Sequence, residues 1–529
     1  MNFIDWSIIF FYLILMVGLS VYLGRGQKSE EDYYVGGRNL PWWAVGVSTM
    51  ATQTSAVSFI SIPAFIVLKP NGGLTFLQYE LALPLALIVV MALLIPFFRK
   101  LELVSVYEYL ELRFGPSVRY LLSAVFLISR ALATGIGVYA IAIVLSVCLG
   151  IPLWVNILII GIVTIIYDVI GGISAVVYSD VIQGVVLLAG IVICIVYASI
   201  SVGGFENIFV SLPLERWETI DFSIGLGDGS TMPFWGLFIG GFFLYISYYG
   251  TDQSQVQREL SAPSIDDTRL SLLLNALGRF PLTVLYVFMG ISVGAVYMQS
   301  SELQSSIPND HLDYLLPQYI LLHLPPGIRS ILFASILAAA MSSLDSALNS
   351  LSASTMHDFI GKWGKLPEEK IMLMSKLTTI IWGVIITGFA FIVGDISDTV
   401  VEGINMIGSA FYGPILASFL MGLLSRRANA AGVFAGVLAG VGFNLFLWFA
   451  IPEVFWMWWN FFGLLVSIIT TLIISMVTAL PDEKQINSYT LVGVGMLRPE
   501  RRWIWIYAFL IVYFVIILSF TFFIPKILR

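Results

Sequence analysis

Charge is what this chain has least of. Only 11% of its 529 residues are Asp, Glu, Lys or Arg and 58% are hydrophobic, where soluble domains carry roughly 25% charge. With a mean hydropathy of +0.93, a water-soluble globular reading is excluded. Histidine is nearly absent: His311, His323 and His357 fall in or beside expected loops, with no nucleophile or ligand spacing near them. No catalytic constellation is left, so an enzyme is not expected. No glycine-rich loop closes on a lysine to cradle phosphate, which argues against an ATP-driven pump. Two cysteines, Cys148 and Cys194, both in apolar runs, exclude a disulfide framework and a zinc site. The short alternating segments of a membrane β-barrel are missing as well. The first 24 residues have no basic leader and no small-residue cleavage site, and read as a retained helix. With 26 basic against 33 acidic residues, no nucleic-acid partner is expected.

What the chain has instead is apolar runs of bilayer length from end to end. About fourteen are expected: 5–24, 42–69, 76–98, 117–148, 153–170, 174–203, 233–251, 270–298, 328–355, 374–394, 400–424, 429–450, 456–480 and 502–525. The fold class is an all-α polytopic membrane protein in a bilayer. Lys and Arg concentrate in alternate loops: Arg25, Lys28 and Arg38; Arg99, Lys100, Arg113 and Arg119; Arg258 and Arg269; Lys362, Lys365 and Lys370; Arg426 and Arg427; Lys484, Arg498, Arg501 and Arg502. The other loops hold Lys69, Arg216 and Arg329 beside acidic Glu302, Asp310 and Asp313. The positive-inside rule then predicts both termini outside, with Lys526 and Arg529 discordant. A cell (plasma or inner) membrane location follows, with a single chain as the working unit.

Two spans are unusual. Span 42–69 is longer than a bilayer needs at about 1.5 Å per residue, and its middle is polar: Thr52, Gln53, Thr54, Ser55, Ser58. Span 233–251 carries Gly240, Gly241, Tyr245, Ser247, Tyr248 and Gly250. They are the second and seventh spans, five apart. Broken polar helices at corresponding places point to inverted repeats around a midplane site. The expected organisation is a first helix and loop (1–41), a first repeat (42–203), an extracellular loop (204–232), a second repeat (233–424) and three further helices (425–529).

The polar stripe of the ninth span is the main functional candidate. Ser342, Asp345, Ser346, Asn349 and Ser350 share one helical face. Small hydroxyl residues also suit close helix packing. Asp345 favours function, since an intramembrane carboxylate marks an ion or substrate path by default. Serine hydroxyls and the carbonyls of a broken helix near Ala51 and Thr54 supply the neutral oxygens a hard cation such as sodium wants. Asp180 and Asp168 both fit a helix N-terminus, where the dipole favours a carboxylate. Gln78, Tyr79, Glu80, Arg130 and Arg279 lie within apolar runs, where Glu80 and Arg279 could pair or line a cavity. Tyr245, Tyr248 and Tyr249 could stack on a solute or gate it, or belong to an interfacial belt.

Four strings carry a family resemblance: DYYVGGRNLPWWAVGVS (32–48), GGISAVVYSDVIQG (171–184), AAAMSSLDSALNS (338–350) and GLLSRRANAAGVFAGVLAG (422–440). Together the chain resembles the sodium:solute symporter family, which includes the sodium–glucose cotransporters. The resemblance implies fourteen helices, a LeuT-type five-plus-five core whose repeats each begin with a discontinuous helix, and sodium-driven import by alternating access. It implies a primary sodium site on Ala51, Thr54, Ala339, Ser342 and Ser343. A second site, found in some members, maps to Asp180, Ser342, Asp345 and Ser346, with Asp345 where those members carry a hydroxyl. One or two sodium ions are therefore expected.

The resemblance also implies a solute pocket on Ser55, Ser58, Gln78, Glu80, Tyr245 and Arg279, with Tyr248 as a gate. Around 95–115 and 59–64 the chain is similar to bacterial sialic acid transporters. Around 134–145 and 249–258 it is similar to the iodide, vitamin and monocarboxylate branch. Where the sialic acid branch holds a pocket arginine this chain has Ala133, with Arg130 one turn away. The solute expected is a small organic molecule: a sugar acid such as sialic acid, another organic anion or a sugar. A transporter-like membrane sensor is the competing class, disfavoured because only a short span follows Arg502.

Overall fold

The structure is a computed structural model that describes residues 2–25, 29–222, 225–228, 232–308, 311–362, 367–393, 399–494 and 500–528. Lys28, Asp310, Lys365, Arg498 and Arg529, used above to orient the chain, lie outside the described residues. The described chain is helical. In order, α1 is Phe3–Gly24, α2 Trp42–Gln53, α3 Ala56–Val67, α4 Leu74–Lys100, α5 Pro116–Leu149, α6 Leu153–Ser201, α7 Gly241–Thr251 and α8 Gln253–Glu259. Then come α9 Ile265–Gln299, α10 Ile328–Asp358, α11 Glu368–Ala390, α12 Val400–Leu424, α13 Ala430–Ala450, α14 Trp458–Val477 and α15 Arg501–Leu528.

Among the described residues eleven helices are long and apolar enough to cross a membrane, and the bent pair α2–α3 makes a twelfth. Two of the fourteen expected spans are not among those twelve. Gly172, at φ +56°, a conformation that non-glycine residues avoid, kinks α6 between the expected spans 153–170 and 174–203, with Leu153–Ile166 a shorter apolar stretch before it. Expected span 233–251 opens with a π turn at Gly236–Gly240 and ends where Asp252 turns extended, leaving the 11-residue α7.

The break expected in span 42–69 is present, a 48° bend between α2 and α3. Thr54 leaves helical geometry at φ −92°, ψ 69°, and Ser55 is extended. The Thr54 hydroxyl bonds back to the Met50 carbonyl at 2.7 Å, the local competition that makes Ser and Thr poor helix interiors. In the second half, the break expected around Gly240–Gly250 instead lies at Asp252. That aspartate caps α8 by accepting the Ser254 amide at 2.8 Å.

Helix α10 runs through the centre, buried along most of its length in spite of its serines. Peripheral α1 and α15 turn Phe10, Phe11, Ile14, Trp505, Ile511 and Phe523 outward, as a lipid-facing surface requires. Several of the loop arginines are not surface charges. Arg113 is fully buried and donates to the carbonyls of Gly422, Ser425 and Ala428, capping the end of α12. Arg99 does the same for Leu260 and Ala262. Arg119 pairs with Asp358 at 2.7 Å.

Candidate functional site

The broken end of α2 meets the serine face of α10. Ser343 Oγ donates to the Thr52 carbonyl at 3.0 Å and to its own Ala339 carbonyl at 3.4 Å. Because α2 stops at Gln53, the last carbonyls of the helix, Ala51 among them, have no helical amide ahead of them. Ala51, Thr54, Ala339 and Ser342 are all buried. Ser343 therefore joins the broken end of α2, which carries the Ala51 and Thr54 carbonyls, to the Ala339 turn of α10, while the Ser342 side chain lies beside Asp180. The donor set suits a hard monovalent cation carried as cargo. The Thr54 hydroxyl itself accepts from Arg279, so its carbonyl is the oxygen that remains.

One turn along α10 a second polar group forms around Asp180 of α6. Ser48 donates to Asp180 Oδ2, and Ser342 and Thr52 lie beside the carboxylate. Thr52 Oγ1 is 3.2 Å from Ser346 Oγ, and Ser346 also donates to the Ser342 carbonyl at 2.6 Å. Asp345 is fully buried, and Tyr12 of α1 faces both aspartates. Arg258 of α8, counted in the sequence only as a loop charge, is fully buried with Nη2 3.6 Å from Asp180 Oδ2. Sequence reasoning missed Ser48, Thr52 and Arg258 here. The available signal was Ser48 and Thr52 one helical turn apart on α2.

Beside the break lies a cavity of about 160 Å³, lined among others by Ser55, Ser58, Glu80, Arg130, Tyr245, Tyr248, Arg279 and Ser343. Most of the remaining lining is apolar, including Phe76, Leu244, Ile404 and Met457. Gln78 is not part of it. The 3-10 turn Leu74–Glu80 presents Phe76, Tyr79 and Glu80 to the cavity and turns Gln78 into the protein, where it donates to the Thr75 carbonyl at 3.3 Å.

Glu80 and Arg279 form an ion pair, Nε to Oε1 at 3.0 Å. Tyr245 donates to Glu80 Oε2 at 3.1 Å and Thr283 to Oε1 at 3.4 Å. Arg130 has a looser partner, Asp252 Oδ2 at 3.7 Å, which also accepts from Tyr412 at 3.1 Å. Tyr248 accepts from Gln255 of α8 at 2.7 Å and stacks edge-on against Tyr249 and Tyr412. Tyr249 is buried and donates to Gln53. Tyr412 and Asn405, which line the cavity, and Asp252, which stands behind Arg130, were not read from the sequence as site residues. Asp252 carried a legible capping signal, but nothing local says which arginine it meets.

Such a set offers uncharged oxygens to a cation beside a cavity with paired charges, at a helix break. Residues 33–440 match the family model described as the sodium:solute symporter family. The chain belongs to the sodium:solute symporter family. The sodium/sialic acid symporter NanT of Aliivibrio fischeri is 32% identical, covering 83% of this chain and 86% of that protein. The human sodium/iodide cotransporter is 30% identical over 84% of this chain and 69% of its own length. A solved sodium-coupled sialic acid symporter, substrate-bound and outward-open, superposes with a TM-score of 0.81 at 29% identity, covering 91% of this symporter and 99% of that chain. The nucleobase-cation symporter Mhp1, in a closed conformation, shares the fold alone, with a TM-score of 0.54 at 13% identity. The fold neighbours are LeuT-like transporters, and the relatives are sodium-coupled transporters embedded in membranes, not enzymes. Sodium and a small solute are the partners of these symporters.

Proposed function

We propose that this symporter imports a small organic anion across the cell membrane, driven by one or two sodium ions, by alternating access. The observation that carries this reading is the Ser343–Thr52 bond, which ties the broken end of α2 to α10 beside the cavity. A sodium ion held by Ala51, Thr54, Ala339, Ser342 and Ser343 would fasten the same two helices and order the cavity wall. Two ligands acting on one equilibrium are thereby linked. Asp180, Ser342, Asp345 and Ser346 form the proposed second sodium site. Ser55, Ser58, Glu80, Arg130, Tyr245 and Arg279 face the solute, with Tyr248 as the gate.

The proposed topology keeps fourteen spans by counting Leu153–Ile166 and the stretch from the π turn through α7. Its halves are 42–203 and 233–424, with 1–41, 204–232 and 425–529 outside the core, both termini extracytoplasmic, and a monomer as the working unit. The energetics suffice. For a monoanion one sodium is electroneutral, so only its gradient does work, and a tenfold gradient of about 1.4 kcal/mol supports a ratio of about ten. Two sodium ions carry one net positive charge, and about 100 mV then adds roughly 2.3 kcal/mol to about 2.8 from the gradients, enough for a concentration ratio in the thousands.

The solute class rests on the cavity. Its volume of about 160 Å³ is close to the roughly 150 Å³ that accommodates one benzene. A short monocarboxylate fits that space and its apolar lining, with Arg130 taking the carboxylate. A sialic acid is several times larger and needs the cavity to widen, yet the sialic acid relatives keep that reading in view. The test is uptake into proteoliposomes of propionate and N-acetylneuraminate, with sodium or choline outside. Ser343→Ala should raise the sodium concentration for half-maximal uptake about tenfold, the equivalent of one oxygen contact of about 1.4 kcal/mol. Unchanged sodium dependence would sink the primary-site assignment.

A further inference from the structure

The short helix α8 carries a charge at each end, and each meets an opposite charge on another helix. At its start Asp252 faces Arg130 of α5 at 3.7 Å. Near its end Arg258 faces Asp180 of α6 at 3.6 Å. Both separations exceed hydrogen-bonding reach, although all four residues are largely or wholly buried. Other buried pairs in the bundle are closed: Arg279–Glu80 at 3.0 Å and Arg119–Asp358 at 2.7 Å.

The loose pairs leave polar atoms without a hydrogen bond. These are Arg130 Nε, Arg258 Nε and Nη2, and Asp180 Oδ1. Such orphaned buried groups are costly. At the first end, Asp252 stays satisfied if Arg130 is taken. Asp252 keeps the Ser254 amide at 2.8 Å, the Ser254 hydroxyl at 2.6 Å and the Tyr412 hydroxyl at 3.1 Å. Arg258 keeps the Ser254 carbonyl at 2.8 Å. Asp252 can therefore let go of Arg130, and at the other end Asp180, held by Ser48 at Oδ2, has Oδ1 still open to a cation. Arg130 lines the cavity, and Asp180 sits among Ser48, Thr52 and Ser342.

We propose that Asp252 stands in for the anionic group of the solute at Arg130, and that Arg258 stands in for a sodium ion at Asp180. This rests on the sodium-coupled reading above and extends it in two ways. First, it sets the solute's charge. Arg279 is already neutralised by Glu80, so Arg130 is the cation on offer among the described cavity residues, and the solute is a monoanion. A dianion would bring a second charge into an apolar-lined cavity with no partner, which is expensive. Second, it makes α8 the shared element. The solute displaces its first end and sodium its second, so each ligand lowers what the other must spend to release α8 from α5 and α6. Gln255 and Gln257 still hold α8, to Tyr248 at 2.7 Å and Asn349 at 2.6 Å, so either ligand alone loosens it only in part.

The test is hydrogen–deuterium exchange of segment 252–262 in the full-length symporter in nanodiscs. Exchange reads local opening directly. Conditions are choline, sodium, and sodium with propionate, iodide or N-acetylneuraminate as monoanions, or with succinate as a dianion. In the wild type, sodium should raise exchange several-fold, at least one monoanion should raise it further, and succinate should not. Arg258→Gln should exchange fast in choline and ignore sodium. Asp252→Asn should exchange faster without solute and ignore the monoanion. The charge swap Asp180→Arg with Arg258→Asp should restore slow exchange in choline and abolish the sodium response. It separates pairing from a general loss of packing even if a single variant folds poorly.

A wild-type segment blind to sodium or to every monoanion, a sodium response kept in Arg258→Gln, or a swap that stays fast overturns the proposal. Uptake is measured separately. Sodium-driven uptake without these exchange responses overturns this inference alone. Exchange responses without uptake overturn the transport reading alone.

Discussion

Replacing Glu80 by Gln strips the buried Arg279 of its counter-charge while leaving the shape of the site almost unchanged. The guanidinium is 3.0 Å from Glu80 Oε1 and only 9% exposed, and Glu80 also accepts from Tyr245 at 3.1 Å. Breaking one side of such a pair costs about 3–5 kcal/mol, mostly because the surviving charge stays buried. Unfolding entropy of about 2.1 cal/mol/K per residue, applied to 529 residues, gives about 1.1 kcal/mol per degree. Glu80→Gln should therefore lower the melting temperature of the purified protein by about 3–5 °C, and Arg279→Met by a similar amount. The double variant should recover most of the loss, since exchanging a whole buried pair for uncharged groups is often close to neutral. The measurement is a thermal unfolding cycle on the four proteins in one detergent. Losses that add in the double variant would mean that the two residues do not act as a unit, and the neutralised Arg279 behind the monoanion selectivity would go with them.

Asp180→Asn should bring the Hill coefficient for sodium in uptake down to about one. A wild-type coefficient already at one would count against a second ion. Asp313, between α9 and α10 and outside the spans, has its carboxyl pushed up to about 6 by burial, although the Val400 amide donates to it at 2.9 Å. A raised carboxyl pKa means that the folded state holds the proton longer than the unfolded one. Its contribution therefore favours folding at acid pH, is lost as pH rises from about 4 to about 6, and is flat above that. Asp313→Asn should remove this slope, worth a few kcal/mol by the size of the shift, from melting profiles taken between pH 4 and 8. Gly440 packs α13 against α14 so closely that a Cβ would sit 2.0 Å from Ser467 Oγ. Gly440→Val should cost about 1–3 kcal/mol by overpacking, seen as a lower melting temperature.

The sequence alone determined that this is a helical membrane protein, which helix is broken near Thr54, and which face of α10 is polar. It also pointed to the family. These follow from composition, helical periodicity and short-range bonding, all written within a few turns of chain. Where the second break falls was half legible. Glycines and tyrosines drew attention to 240–250, but the capping aspartate two residues on decided the place. Gln78, which the resemblance placed in the pocket, is turned into the protein by the 3-10 turn Leu74–Glu80.

Partnership was decided only in three dimensions. Glu80 finds Arg279 across 199 residues, and Ser48 finds Asp180 across 132. Arg258 counted as a loop charge until the fold buried it against Asp180. A buried charge needs a counter-charge or hydrogen-bonding partners, and a sequence can announce that need. Which one it gets depends on how helices distant in the chain pack, and no local pattern encodes that.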